Sequence, residues 1–146
     1  MPEQPDAVRL AWERRQPESV TRDAVWRLNC YRESLFLLEL AGEDLSSARC
    51  RGASQHARDQ LLSAVASISA NVAEGYGRST HADRSRFFAY ALGSSREAAI
   101  WYRAAIASTA GDVLFDRLER LARITRMLLG LLKRIRQNTG KPFDRW

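Results

Sequence analysis

Apolar residues recur at steps of three and four along most of this chain, and each such run predicts a helix with a buried face. The first run, over about Arg22 to Ala48, carries Leu28, Tyr31, Leu35, Leu38 and Leu45 on one stripe, with Thr21 as cap and Asp23 in its first turn. Gly42 is a candidate kink or early end. The second run is capped by Ser54 and reaches about Glu74, with Leu61, Val65, Ile68, Val72 and Tyr76 in line. The third, about Ala82 to Ser108, presents Phe87, Phe88, Ala91, Leu92, Ala98, Ala99, Tyr102 and Ile106. It is rich in small residues, which allow a neighbouring backbone to come close. The fourth follows the Ala110-Gly111 break, with Asp112 as cap, and runs to about Gln137 on Leu114, Leu118, Leu121, Leu128, Leu132 and Ile135. Gly140 and Pro142 punctuate its end.

Short connections make consecutive helices antiparallel neighbours, so the predicted fold class is all-α, an up-down-up-down four-helix bundle. No strand-like alternation and no internal repeat competes with it. The bundle is expected over residues 20–139, with a flexible arm at 1–19 and a tail at 140–146 that carries Phe143 and Trp146. Within the arm, the segment around Trp12 is suited to ordering against a partner. Between the second and third helices, Gly75 and Gly77 suit a helix end that needs positive φ. Thr80 then caps the third helix, with Asp83 three residues on as a variant capping box. On the first helix, Trp26, Phe36, Leu37 and Leu40 fall on a second face. A helix apolar on two sides must cover two surfaces, which points to contact between subunits; the alternative is deep burial within a monomer.

Composition narrows the setting. The four prolines all lie near the ends, and none interrupts Glu18 to Lys141, so long helices are permitted. No apolar run is long enough for a membrane span, and the first residues lack a signal-peptide core. Cys30 and Cys50 have no metal-type spacing and are expected as reduced thiols of a cytoplasmic protein. Cys50 sits between Arg49 and Arg51, which would lower a thiol pKa, although a free surface thiol is the plainer expectation.

Chemistry is mostly excluded. A di-iron bundle needs Glu-x-x-His pairs, and the two histidines, His56 and His81, are in no such motif. Neither a metal nor any other cofactor is therefore expected. Gly75-Tyr76-Gly77-Arg78 follows a helix, whereas a nucleotide loop follows a strand. No nucleophile motif is present, so the chain is read as a non-enzyme with no catalytic residue.

One stretch carries a family resemblance. The run Ser69-Ala70-Asn71-Val72-Ala73-Glu74-Gly75-Tyr76-Gly77-Arg78, then Arg86-Phe87-Phe88 and Ala91-Leu92-Gly93-Ser94-Ser95-Arg96-Glu97, resembles the signature of the bacterial four helix bundle proteins. These are also called 23S ribosomal RNA intervening-sequence proteins, and the accessory variability protein of diversity-generating retroelements is a relative. The resemblance implies a homo-oligomer, with the retroelement relative suggesting a ring of five, and a place beside a reverse transcriptase. Asn71, Glu74, Gly75, Gly77, Arg78, Arg86 and Glu97 are its motif residues. The expected role of Asn71 and Glu74 is structural, locking the corner through backbone amides, Arg78 or Arg86.

Charge supplies the remaining lead. The formal net charge is +6. Such a balance favours polyanions, although an arginine-rich composition alone produces it too. The fourth helix holds Arg117, Arg120, Arg123, Arg126, Lys133, Arg134 and Arg136, and the third adds Arg84, Arg86, Arg96 and Arg103. Arg123, Arg126, Lys133 and Arg134 lie away from the leucine stripe and are the predicted contacts to an RNA or DNA backbone. The function expected is an oligomeric nucleic-acid-binding accessory or scaffold; the alternative is a protein-interaction module with no nucleic-acid role.

Overall fold

A computed structural model describes residues 6–140, so the predicted contributions of Phe143 and Trp146 lie outside the described residues. Those residues form α1 (Ala7–Arg14), α2 (Glu18–Thr21), α3 (Asn29–Ser46), α4 (Gln55–Gly77), α5 (His81–Ala105) and α6 (Gly111–Asn138), with no strand among them. Short 3-10 turns at Ala24–Arg27, Ala48–Cys50 and Ser108–Ala110 join them. The four long helices, α3 to α6, each pack on their chain neighbours, and α6 returns to α3 to close the bundle. Asp44 near the end of α3 meets Arg117 near the start of α6, while Asn29 at the start of α3 reaches Met127 further along α6. The two helices are therefore antiparallel. The all-α bundle agrees with the hydrophobic periodicity, and Leu37, Leu61, Ile68, Phe88, Tyr102 and Leu128 are among its fully buried side chains.

Local chemistry explains the helix ends. Ser54 accepts from the Ala57 amide and Thr80 from the Asp83 amide, each at 3.1 Å, as their positions predicted. Asp112 instead lies in the first turn of α6, where its charge suits the helix N-terminus. The first long helix starts at Asn29, not near Arg22. The Asp23 side chain accepts from the Val25 amide at 3.0 Å and so caps a 3-10 turn, and Leu28 is extended. Gly42 does not end α3, which runs on to Ser46.

The N-terminal segment differs from the predicted arm. From Asp6 onward it forms α1 against α3. Trp12 is 4% exposed, with its ring centroid 5.3 Å from Phe36 and 6.1 Å from Trp26. Its indole N–H donates to Glu39 at 2.5 Å. On the second face, Phe36 is thus covered by the chain's own first helix and Leu37 joins the bundle core, which is the burial within the chain that the sequence left as the alternative, while Leu40 is half-buried. The reason is that one large aromatic side chain can shield an apolar stripe that short helices otherwise leave open.

The α4–α5 corner also differs in its cause. Among the described residues only Gly140 has positive φ; Gly75 and Gly77 are helical. Arg78 ends α4 by turning extended, at φ −77° and ψ 145°. Gly75 is required by packing instead, since a Cβ there would lie 2.9 Å from two ring carbons of buried Phe88. Substituting Gly75→Ala should lower unfolding free energy by about 1–3 kcal/mol through overpacking. Helix propensity alone would favour the alanine by about 1 kcal/mol. At Gly77 a Cβ meets nothing within 4 Å, so Gly77→Ala should be neutral or stabilising. Urea unfolding of both variants checks this; a change of the same sign at both positions would refute the packing account.

Candidate nucleic-acid interface

Arginines at 117, 120, 123 and 126 recur every three residues on α6. Because a turn takes 3.6 residues, such a row drifts around the helix, here from the core to solvent. Arg117 and Arg120 are 9% and 6% exposed, so they do not belong to the basic surface. Arg117 makes a bidentate pair with Asp44, at 2.7 Å from Nε to Oδ2 and 3.0 Å from Nη2 to Oδ1. Arg49 adds a contact to Asp44 Oδ1 at 3.3 Å, and Arg117 also pairs with Asp116. Arg120 donates to Asp116 at 3.0 Å, to Asp6 at 2.5 Å and to Glu33 at 3.4 Å, and lies 4.9 Å above the Phe36 ring. Arg9 of α1 reaches the other Glu33 oxygen at 2.8 Å.

The titration of these groups follows from burial set against pairing. Burial alone would lower the Arg117 pKa, but the hydrogen bond and charge of Asp44 outweigh it and hold the guanidinium firmly protonated. Burial would raise the Asp6 pKa, yet the Arg120 hydrogen bond, the Arg9 amide and nearby arginine charges leave it below the usual carboxylate range. Burial dominates at Glu33 and raises its pKa despite Arg9, Arg123 and Arg120.

The four predicted contact residues separate into two groups. Arg126, Lys133 and Arg134 are exposed along the outer side of α6. Arg123 is half-buried at the edge of the ion-pair network, 3.7 Å from Glu33. The motif residues do not converge on a site. Asn71 donates to the Ser67 carbonyl at 2.8 Å, and Glu74 pairs with Arg78 at the surface. Arg86 pairs with Asp83 at 2.9 Å, and Glu97 accepts from Trp101 at 3.3 Å. Arg78 and Arg86 flank the Phe87 ring, at 4.6 and 5.5 Å.

The corner is held by Arg84, counted in the sequence only as one more cation. It is 3% exposed, and its Nη2 donates to the Tyr76 and Arg78 carbonyls at 3.3 and 3.2 Å. Those carbonyls end α4 and have no helical partner of their own. Cys50 is fully buried, so it is not the surface thiol that its flanking arginines suggested; burial, and then Asp44, raise its pKa. Cys30 is also buried, with its pKa pushed up to about 11 by desolvation. His56 packs edge-on against Trp101 at 5.4 Å. No group of three or more His, Cys, Asp or Glu side chains among the described residues could hold a metal ion.

Beside the exposed cations lies a groove of about 340 Å³ that sequence reasoning missed. Leu28, Cys30, Met127 and Leu131 form its apolar wall, Asn29 and Arg134 its polar rim, and Gly130 an open gap in α6. The one legible signal was a glycine inside a long helix, where it costs helix propensity without a turn to justify it.

Breaking the innermost pair tests the electrostatic account. Asp44→Asn should cost about 3–5 kcal/mol, because it leaves Arg117 buried without its counter-charge. Glu74→Ala, at an exposed pair, should cost no more than about 1 kcal/mol. Urea denaturation of both variants gives the comparison, and equal losses would contradict it.

No helix among the described residues is long and apolar enough to cross a membrane. Residues 27–130 match the family model described as 23S rRNA-intervening sequence protein. No curated protein is similar to the chain in sequence.

Proposed function

The chain belongs to the 23S rRNA-intervening sequence protein family, and from that premise we propose that it is a non-enzymatic protein that binds nucleic-acid backbones as an accessory or scaffold. The observation that carries this reading is the placement of Arg126, Lys133 and Arg134 on the open side of α6, with Arg123 beside them. Inside the protein, arginines and carboxylates nearly cancel, so the surplus behind the formal +6 sits on the surface. Such a face attracts phosphates through counter-ion release, with little sequence preference. The family name associates the group with ribosomal RNA, which favours RNA as the polyanion. Service to a reverse transcriptase, implied by the sequence resemblance, is the most specific form of this proposal.

Self-association belongs to the same reading, with the surface relocated. With Phe36 covered by α1, the exposed apolar side chains offered to a second copy include Tyr90 and Ile100 on α5 and Phe115 on α6, at 54%, 64% and 68% exposed. A ring of five would multiply the cationic face, and the cytoplasm is the compartment proposed for it. These same side chains favour the second reading, a protein-interaction module without nucleic acid.

A binding series in rising salt decides between them. The wild type should bind RNA at low salt and lose affinity linearly in log–log terms. The triple variant Arg126→Ala, Lys133→Ala, Arg134→Ala should flatten the slope by about 2 for a single strand. Absence of binding at low salt would leave only the interaction module, and light scattering gives the subunit number.

A further inference from the structure

We propose that the groove beside the first turn of α3 seats one unpaired base of a single-stranded nucleic acid, whose phosphates lie along the cationic side of α6. This rests on the nucleic-acid reading above and adds the strandedness of the ligand. Two neighbouring rows of α6, at four-residue spacing, build the feature: Arg123–Met127–Leu131 and Arg126–Gly130–Arg134. Met127, Gly130, Leu131 and Arg134 of these rows line the groove, with Arg123 and Arg126 one turn before it; in the second row, the glycine drops the surface between two arginines.

A nucleobase has apolar faces and a polar edge, and the groove offers both kinds of partner. Leu28, Met127 and Leu131 supply an apolar wall against which a ring can pack. Asn29 supplies a carboxamide at the rim. Its Oδ1 accepts from Arg9 at 3.1 Å and from Arg32 at 3.5 Å, while its Nδ2 donates to the Met127 thioether at 3.4 Å. A base carbonyl or ring nitrogen is a stronger acceptor than a thioether and would replace it. The surrounding charge selects the occupant: Arg126, Lys133 and Arg134 attract a phosphate chain, which an uncharged apolar peptide does not carry. A base within a duplex stays stacked and cannot enter without being extruded, so the groove favours unpaired strands.

Gly130 provides a clean test. Gly130 lines the groove and a Cβ there meets nothing within 4 Å, so Gly130→Leu adds bulk at the groove without a clash at its Cβ and replaces a poor helix former with a good one. Fluorescence anisotropy would compare an unstructured labelled RNA oligonucleotide, the same sequence as a blunt duplex, and labelled heparin, a polyanion without bases. The wild type should prefer the single strand. Gly130→Leu should weaken single-strand binding roughly tenfold and leave duplex and heparin binding unchanged. Asn29→Ala, a second and independent variant at the rim, should produce a smaller loss confined to the single strand. Unchanged single-strand binding by Gly130→Leu, or equal losses for RNA and heparin, would overturn the base seat and leave backbone binding intact. A changed subunit number in light scattering would assign the groove to a contact between copies and also overturn it. If the wild type binds none of the three probes, the nucleic-acid reading itself fails and the base seat with it.

Discussion

Two carboxylates of α3, Asp44 and Glu33, lie inside the protein, and the arginines of α6 answer them. A buried charge is costly unless it is paired and fully hydrogen-bonded, so this contact tolerates little displacement. Asp44 receives two nitrogens of one guanidinium and a third from Arg49. Sliding α3 against α6 by a single turn would strand both partners. Leucine stripes alone would permit such a slip, because one leucine replaces another at nearly the same depth. The ion pairs thus set the register that the apolar seam leaves loose, whatever their net contribution to stability.

The same pairs organise what lies outside the bundle. Asp6 and Arg9 extend the network onto α1, and Trp12 completes the attachment by packing on Trp26 and Phe36. This segment precedes residue 27, where the family match begins. Through Trp12 it covers Phe36 of α3 from within the same chain. Exposed apolar side chains remain on α5, as Tyr90 and Ile100, and near the start of α6, as Phe115, with Val8, Leu62 and Leu129 exposed on α1, α4 and α6. The cationic side of α6 stays open beside the groove at its second half.

Arginine therefore plays three physical roles in one chain. Arg117 and Arg120 neutralise buried acids, Arg84 satisfies the carbonyls that end α4, and Arg126 faces solvent. A planar guanidinium with five donors serves all three because it can bond in several directions and is weakly hydrated. Lysine would serve only the last. A count of basic residues overstates the surface available to a polyanion, and the structure reduces the predicted face to three exposed cations with Arg123 at its margin.

The long helices, their order and the caps Ser54 and Thr80 were legible in the residues alone, because helical periodicity and capping act over three or four positions. So was the surplus positive charge, which is a sum and needs no geometry. Tertiary structure decided the remainder. Which arginines turn inward depends on where Asp44 and Glu33 arrive from a helix more than seventy residues away, and periodicity carries no information at that range. Gly75 looked like a turn residue, yet it is kept small by a phenylalanine ring that crosses it from the next helix. Trp12 looked like part of an arm until α3 supplied a surface for it. Local spacing determines which face of a helix is apolar; only the folded neighbours determine what covers that face, and hence what remains exposed to bind.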